Sequence, residues 1–568
     1  MKNNKFSRFI ALILVAVMVA GVFAGCGAKT TDEPAPAEEP TTAATESNTE
    51  TPAEPAEPAA PAEPAEEVEE ELSYPLASGA KLSWYVRGNL DLNSEYLDYH
   101  ESPFHSGLSE VTGVDIDWQF TPAGAERDVA YNLLLQNDKL PSIISGTFTA
   151  DEVAELLEDG LIYDLAEYLP TYAPDYWAYV SAPENQAILM ESTTDAGQIF
   201  GIASIRESSF NVTYRGPVIR QDWLDECGLE APVTLEDWEN VLVAFNEKYG
   251  AKFGFALNRF EGGGISSGTG AHAALYAGYY VDENGKVQCA NAQPEWKEML
   301  EVLHRWYEMG LVDPDFATVS DADLRTKVLN NEIGVSYTAM SQITNWIADA
   351  EAENTGANWV GFEYARTEPG APTVYIDTTY SLVTANNYAV ITTSCSEEEL
   401  INALKLLNYG YTEEGIMYWN FGTEGVSYTL DANGAPQWTD LVANDPAGLS
   451  NGIGKYSGAA QAPFSIQLED FVKTTKAQAA VDAVYKWIDN TEAQKYVLPS
   501  TTKSAEDAAT CNDIKATLWT YVAEMALKFV TGDESLDNFD AFVESMNQKG
   551  LQDLLQIEQE AYDRFISR

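Results

Sequence analysis

A Pro-, Ala- and Glu-rich segment over residues 29–71 constrains the fold of this chain most strongly, because it divides the sequence into two unequal parts. The segment repeats Ala-Glu-Pro, contains fourteen acidic residues and no aromatic residue, and has one basic residue, Lys29. Such a composition cannot bury enough apolar surface to offset the cost of ordering, and its charges and prolines keep it extended. The segment is therefore predicted to be a disordered tether.

The residues before the tether have the pattern of a bacterial secretory signal. Three basic residues precede an apolar run over residues 9–20, and small residues then lead to Cys26. The run is too short for a stable membrane span. Cleavage before Cys26 would free a thiol for a diacylglycerol anchor, so we expect a lipoprotein signal peptide over residues 1–25, and a lipidated Cys26 with its tether over residues 26–72. The alternative is an ordinary signal peptide that happens to end near a cysteine.

The chain is strongly acidic, with a net charge of −57. Without the N-terminal residues and the tether, 75 acidic residues remain against 28 basic ones, a net charge of −47. Nucleic-acid binding requires clustered Lys and Arg, so this composition argues against a nucleic-acid partner. It also predicts repulsion from anionic lipid, which leaves the lipid anchor as the contact with the membrane.

The sequence after the tether is too long for one hydrophobic core, so two lobes are expected. Short strand patterns at residues 81–87, 114–120 and 142–145 alternate with stretches of helical spacing such as residues 126–137. This alternation predicts an α/β fold whose ligand-facing loops follow the carboxyl ends of the strands.

Several local patterns are more specific. Residues 294–310 have the spacing of an amphipathic helix with a proline near its start. Two Asp-x-Asn-Gly turns, at residues 282–285 and 431–434, suit hairpins and lack the later acidic ligands of a calcium loop. Thr234, with Asp237 three residues later, predicts a helix start close to a capping box.

No motif in the sequence indicates catalysis or a metal centre. The four histidines are scattered, the cysteines after Cys26 occur singly, and no His-Glu-x-x-His pattern is present. Thirteen Trp and thirty Tyr offer flat faces on which sugar rings can stack, although most of them are expected in hydrophobic cores. We therefore expect no catalytic residue, no cofactor and no metal site.

The stretches at residues 219–238, 417–429 and 550–564 resemble the family 1 extracellular solute-binding proteins of ATP-driven sugar importers. Residues 219–238 resemble a family segment in which a strand is followed by Asp-Trp-Leu, Gly-Leu and Pro-x-Thr. Residues 417–429 and 550–564 resemble motifs of the lipoprotein branch that is associated with aldouronate and other complex sugars. The resemblance implies a two-lobed type II periplasmic-binding-protein fold, whose lobes close about the ligand by rotation at a hinge.

The same resemblance implies where the lobes begin and end. The chain is expected to cross between them near residues 197–215, 375–392 and 497–502. Lobe 1 would then comprise residues 73–213 and 385–498, and lobe 2 would comprise residues 214–384 and 499–568.

The resemblance also implies ligand contacts, from loops after strands, from the first crossing, from a strand-to-helix turn and from the second motif. The candidates are Trp84, Arg87, Asn89, Phe148, Tyr214, Arg215, Gln342, Trp346, Trp419 and Glu424. The tryptophans have an alternative role in the cores, and Arg87 has an alternative role as the partner of a nearby acid. If the ligand is a uronic-acid sugar, Arg87 or Arg215 is the natural partner of its carboxylate.

Together these features predict an extracellular, lipid-anchored receptor on the outer face of a bacterial membrane. The receptor captures an oligosaccharide, with uronic-acid-containing sugars among the candidates, and passes it to the permease subunits of an ABC transporter. We expect a monomer with no enzyme activity and no nucleic-acid partner. Two alternatives stay open, namely an exported glycan-active enzyme and a peptide-binding receptor of the same fold.

Overall fold

Two β-sheets, each with a hydrophobic core of its own, organise the chain. The computed structural model describes residues 72–87, 102–121, 126–255, 263–459 and 464–568. In chain order, the strands are β1 (Lys81–Val86), β2 (Asp115–Phe120), β3 (Ile143–Thr147), β4 (Ile202–Arg206), β5 (Arg215–Arg220), β6 (Lys252–Gly254), β7 (Tyr279–Val281), β8 (Val287–Cys289), β9 (Ile333–Ala339), β10 (Trp359–Gly361), β11 (Val383–Ile391), β12 (Tyr428–Leu430), β13 (Pro436–Trp438) and β14 (Ile466–Gln467).

Helices occupy most of the remaining described sequence. The first half contains α1 (Pro103–Thr112), α2 (Arg127–Leu134), α3 (Ala150–Glu158), α4 (Leu169–Tyr172), α5 (Pro174–Val180), α6 (Gln186–Glu191), α7 (Ser209–Val212), α8 (Gln221–Cys227), α9 (Leu235–Tyr249), α10 (Gly263–Ser266) and α11 (Pro294–Glu308). The second half contains α12 (Asp321–Leu329), α13 (Met340–Ala352), α14 (Glu397–Tyr409), α15 (Glu413–Phe421), α16 (Asp440–Ala443), α17 (Leu449–Tyr456), α18 (Glu469–Thr474), α19 (Gln478–Trp487), α20 (Ala505–Thr531), α21 (Phe539–Gln548) and α22 (Leu551–Phe565).

The larger sheet has six strands in the order β14-β4-β11-β3-β1-β2. Five of its strands run parallel, and β11 runs antiparallel between β3 and β4. Strands β3 and β4 are buried along almost their whole length, as expected for parallel strands that are covered on both faces. The carboxyl ends of the parallel strands therefore share one edge of the sheet, and β4 and β14 bring Arg206 and Gln467 there.

The smaller sheet has four strands in the order β10-β5-β9-β6, and β5 runs antiparallel to both of its neighbours. Helix α19 packs on β5 and β10. The contact is close, because a Cβ atom at Gly216 would lie 2.4 Å from the ring of Trp487, and one at Gly361 would lie 2.2 Å from the Cβ of Ala483. Glycine at both positions therefore allows α19 to pack directly on the sheet.

In the described residues, three stretches of chain connect elements of one sheet to elements of the other. The first is residues 207–214 between β4 and β5, and the second is residues 362–382 between β10 and β11. The third is residues 468–477, which lead from β14 to α19. The third crossing was predicted at residues 497–502, and this position is wrong because α19 already packs on the smaller sheet. The other lobe boundaries stay a prediction.

The specific local patterns are confirmed. Helix α11 begins at Pro294, and the two Asp-x-Asn-Gly turns connect the hairpins β7–β8 and β12–β13. Thr234 and Asp237 form a complete capping box at the start of α9. Among the described residues, no helix combines the length and the apolar character that crossing a bilayer requires.

Replacing Thr234 by Ala should lower the free energy of unfolding by about 1 kcal/mol, because the backbone amide of Asp237 loses its acceptor. Thr520→Ala is the matched control, since Thr520 lies on the exposed face of α20 and bonds only to the carbonyl of Ala516. Urea unfolding followed by circular dichroism measures both variants. Equal midpoints for Thr234→Ala and the unmodified protein would contradict the assignment.

Candidate functional site

A cavity of about 490 Å³ lies where the carboxyl-end edge of the larger sheet meets the smaller sheet. The larger sheet contributes the ends of β4 and β14, and the smaller sheet contributes the start of β5 and the end of β9. Carboxyl ends of strands are the usual ligand sites of open α/β sheets, and the volume lies in the range of small-molecule pockets. The cavity is therefore the candidate binding site.

The first connection between the sheets forms one wall of the cavity. Its lining residues are Arg206, Phe210, Asn211, Tyr214 and Arg215. The backbone of Tyr214 is held in place because its carbonyl accepts a hydrogen bond of 2.9 Å from the amide of Met340, the first residue of α13. The Tyr214 side chain is 38% exposed, so its ring has a face open to a ligand.

The opposite walls come from α13, α17 and the segment around α18. From α13 and the strand before it come Ala339, Met340 and Ser341, and from α17 come Ser450 and Ile453. The remaining lining residues are Gln467, Phe471, Val472, Thr475 and Lys476. The described walls thus combine apolar faces with hydroxyl, amide and cationic groups, which can pack against a ligand and also bond to it.

Arg206, the last residue of β4, is half-buried at the cavity and bonds to neutral groups. Its Nε donates to the hydroxyl of Thr384 at 2.9 Å, and its Nη1 donates to the side-chain carbonyl of Gln467. Burial lowers the pKa of the Arg206 guanidinium from its ordinary value. The positive charge of the Arg206 guanidinium is thus partly removed from water and meets only neutral hydrogen-bond acceptors among the described residues.

Arg215, the first residue of β5, has an acidic partner. Its Nη1 lies 3.2 Å from Oδ2 of Asp377, on the second connection between the sheets. The hydroxyl of Tyr364 holds both residues, since it donates to the Arg215 carbonyl at 2.7 Å and accepts from the Asp377 amide at 3.2 Å. Burial raises the pKa of the Asp377 carboxyl, and the charge of Arg215 opposes that effect.

Lys476 lies between α18 and α19, on the third connection between the sheets, and it is half-buried. Burial lowers the pKa of its ammonium group. No hydrogen bond or ion pair joins that ammonium group to any of the described residues. The preceding lysine of the sequence, Lys473, differs from Lys476 in its partner and in its place. It pairs with Glu469 at 3.0 Å, and it does not line the cavity.

A second, smaller cavity of about 200 Å³ adjoins the Arg215–Asp377 pair, because Asp377 is one of its lining residues. Its walls are aromatic. Tyr276 stacks on Trp519 with ring centroids 4.3 Å apart, and His272 stacks on Tyr280 at 4.1 Å. These rings are largely engaged with one another, and of these two cavities the larger one is lined by strand ends of both sheets.

Two of the predicted contacts, Tyr214 and Arg215, line the larger cavity. Four others are buried in the hydrophobic cores instead, which corrects the expectation for Trp84, Phe148, Trp346 and Trp419. None of these four exposes more than 6% of its surface. The indole N–H of Trp84 shows the reason, because it is satisfied by the hydroxyl of Ser145 at 2.7 Å inside the sheet.

Of the remaining predicted contacts, Arg87, Gln342 and Glu424 are not among the residues that line the cavity. Arg87 pairs with Glu152 at 2.8 Å and with Asp128 at 3.1 Å, which is the alternative that the sequence left open for it. Gln342 is half-buried one residue beyond the lining residue Ser341, and it accepts a hydrogen bond from Asn345. Glu424 is exposed on a turn before β12. Asn89 lies outside the described residues.

Sequence reasoning missed Arg206 and Lys476. A signal for Arg206 was present, because it lies within the predicted first crossing at residues 197–215, from which ligand contacts were expected. Lys476 had no comparable signal, since its place at the cavity depends on α19 packing on the smaller sheet. Among the described residues, no group of three or more His, Cys, Asp and Glu side chains could hold a metal ion.

Known proteins resemble this chain in sequence and in structure. Lipoprotein LipO of Bacillus subtilis (strain 168) is 24% identical over 472 residues, which cover 80% of this chain and 88% of LipO. The polygalacturonan/rhamnogalacturonan-binding protein YtcQ of the same organism is 22% identical over 280 residues, which cover 47% of this chain and about half, 51%, of YtcQ.

The fold matches that of solved solute-binding proteins. An HMO-binding, ABC-transporter-associated solute-binding protein from Bifidobacterium longum infantis superposes with a TM-score of 0.66 at 19% identity, covering 86% of this chain and 99% of that one. This likeness shows the two-lobed α/β fold of periplasmic solute-binding proteins. The sequence model of the family described as bacterial extracellular solute-binding protein matches residues 103–417, more than half of the sequence. The chain therefore belongs to the bacterial extracellular solute-binding proteins.

Proposed function

We propose that this protein captures an oligosaccharide outside the cell and delivers it to the permease subunits of an ABC transporter. The observation that carries the proposal is the cavity of about 490 Å³ between the strand ends of the two sheets. Rotation of one lobe against the other would enclose a ligand there, and closure would present a different face to the permease. This mechanism needs no chemistry on the ligand.

The walls of the cavity suit a sugar. The exposed ring of Tyr214 offers a flat face for stacking, and Asn211, Ser341 and Gln467 supply polar groups for hydroxyls. YtcQ is described as a polygalacturonan/rhamnogalacturonan-binding protein, and the Bifidobacterium protein is described as HMO-binding. These relatives support a carbohydrate as the ligand of this chain.

The cavity argues against the alternative of a glycan-active enzyme. Glycoside hydrolysis ordinarily needs two carboxyl groups on either side of the scissile bond. None of the described residues that line the cavity is Asp or Glu. We therefore propose that the protein binds its ligand without converting it. We also propose that it acts as a monomer.

The N-terminal residues would hold the receptor at the membrane. Cys26 follows an apolar run and small residues, in the arrangement of a lipoprotein cleavage site. The name of the relative LipO, a lipoprotein, supports the same arrangement. We propose that a lipid on Cys26 is the membrane contact, on the extracytoplasmic face.

A panel of neutral and acidic oligosaccharides should raise the melting temperature of the protein for one class of sugar. A ligand that binds only the folded state stabilises it by mass action, by about 2.7 kcal/mol at a hundred times its Kd. Thermal denaturation measures the shift, and mass spectrometry of the same samples should find no shortened sugar. A shift with peptides alone, or the appearance of cleavage products, would contradict the proposal.

Tyr214→Ala should weaken binding of the sugar found in that panel roughly fivefold, because an aromatic stacking contact contributes about 1 kcal/mol. Tyr172→Ala is the matched control, since Tyr172 is a half-buried tyrosine of the larger sheet's core that does not line the cavity. Isothermal titration calorimetry measures both. An equal loss in the two variants would show that Tyr214 does not touch the ligand.

Cys26→Ser should release the protein from the membrane fraction of expressing bacteria, because serine cannot form the thioether to diacylglycerol. Detergent phase partition distinguishes the lipidated chain from the variant, and mass spectrometry of the mature N-terminus identifies the modification. Cys227→Ser is the matched control, since Cys227 is a partly exposed free thiol of the folded part. If both variants stay in the detergent phase, the anchor is not at Cys26.

A further inference from the structure

The arginines buried in this protein are usually paired with a carboxylate. Arg87 meets Glu152 at 2.8 Å, and Arg220, which is almost fully buried, meets Asp222 at 2.6 Å. Arg366, also buried, meets Glu363 at 2.7 Å. This pattern is expected, since a charge removed from water is costly unless an opposite charge compensates it.

Arg206 and Lys476 depart from this pattern, and both line the larger cavity. Arg206 bonds to the neutral side chains of Thr384 and Gln467, and its Nη2 has no hydrogen-bond partner among the described residues. Lys476 has no partner of either kind in the described part of the chain. Because acidic residues outnumber basic ones almost threefold, it is unusual that neither cation forms an ion pair with any carboxylate of the described residues.

The third cation of the cavity does not share this property. Arg215 is paired with Asp377, and Tyr364 holds that pair from behind. The described lining residues include no carboxylate, so the charge of Arg206 and Lys476 is left uncompensated within the cavity. A ligand that supplies a negative group would restore the pairing seen at Arg87, Arg220 and Arg366.

The two cations also occupy a particular place in the fold. Arg206 ends β4 where the first connection leaves the larger sheet, and Lys476 lies two residues before α19 reaches the smaller sheet. The next residue, Ala477, already bonds to the hydroxyl of Thr344 on α13, at 3.2 Å. An anion held by both cations therefore joins two of the segments that connect the sheets.

We propose that Arg206 and Lys476 together bind a carboxylate of the ligand. The cavity then selects an acidic oligosaccharide, and it recognises the charge of that sugar beside the segments that connect the lobes. This inference rests on the proposed function and adds the class of sugar and the residues that recognise it. Arg206 can donate from its Nη2 to a carboxylate oxygen while its Nε and Nη1 stay bonded to Thr384 and Gln467, and Lys476 acts as a point charge beside it.

The acidity of the rest of the protein gives the contact a distinctive salt dependence. The field of an acidic domain repels an anionic sugar at long range, and salt screens that repulsion. The two cations act at short range inside a partly enclosed cavity, where screening is weaker. Moderate salt should therefore speed the association of an acidic ligand, the opposite of what a basic binding surface would show.

The test compares acidic sugars with neutral copies of themselves. Oligomers of galacturonate, mannuronate and glucuronate-substituted xylose are each titrated into the full chain, together with the same sugars after reduction of the carboxyl to an alcohol. At least one acidic oligomer should bind ten or more times as tightly as its reduced copy. In Lys476→Gln the acidic sugar should bind about tenfold more weakly, whereas the reduced copy should bind as before.

Lys473→Gln provides the control, because it removes the same charge three residues before Lys476. Lys473 pairs with Glu469 and does not line the cavity. Its preference for the acidic sugar should equal that of the unmodified protein. Arg206→Gln should lose the preference as Lys476→Gln does, and the lysine variant keeps the test decisive if the arginine variant does not fold.

Each remaining outcome overturns a different statement. Equal binding of acidic and reduced sugars, or binding of neutral sugars alone, would overturn the carboxylate site and leave the proposed function intact. An unchanged preference in Lys476→Gln would show that other groups recognise the charge. Failure of every acidic and neutral oligosaccharide to bind would overturn the proposed function as well.

Discussion

The contact between helix α19 and the smaller sheet determines where the rest of the binding region can lie. Trp487 packs against Gly216, and its indole N–H donates to the carbonyl of Pro217 at 3.1 Å, so one side chain contacts two successive residues at the start of β5. Arg215 directly precedes Gly216, and Lys476 lies two residues before α19. Two of the three cations at the cavity therefore flank the elements that this helix–sheet contact joins.

The general architecture could be predicted because its signals are local. Alternating strand and helix patterns, the capping box at Thr234 and the two Asp-x-Asn-Gly turns depend on neighbours within a few residues. The three stretches that resemble the family then supplied the two-lobed fold. The third crossing could not be predicted in this way, because the sequence of α19 does not indicate which sheet the helix packs on. That packing depends on the space beside Gly216 and Gly361, which are distant in the sequence.

The candidate site was harder to predict for a related reason. A tryptophan within a strand or a helix can face a ligand or the core, and the local sequence around Trp84 in β1 and Trp419 in α15 is the same in either case. What separates the two roles is packing between distant segments, such as Trp84 on Trp118 with ring centroids 4.8 Å apart. Tyr214 and Arg215 could be placed near the cavity because they lie at the predicted first connection between the sheets, and their contact with a ligand stays a prediction.

The basic side chains of this acidic protein are mostly paired. In the described part of the chain, most of them form ion pairs with acids, including Lys503 and Lys515, which both pair with the buried carboxylate of Glu558. The excess of acid is left to the surface, where water solvates it. Against that background even two unneutralised cations form a distinct local environment, although the net charge alone would predict a poor receptor for anions.

The burial of the tryptophans has a consequence for how this receptor can be observed. Trp84, Trp346 and Trp419 are enclosed by core side chains that a ligand does not reach. The aromatic residues that do line the cavity, Phe210, Tyr214 and Phe471, emit weakly beside so many indoles. The emission of these three indoles would thus follow the integrity of the cores and change little when the cavity is filled, so a reporter of occupancy is better attached at the cavity itself.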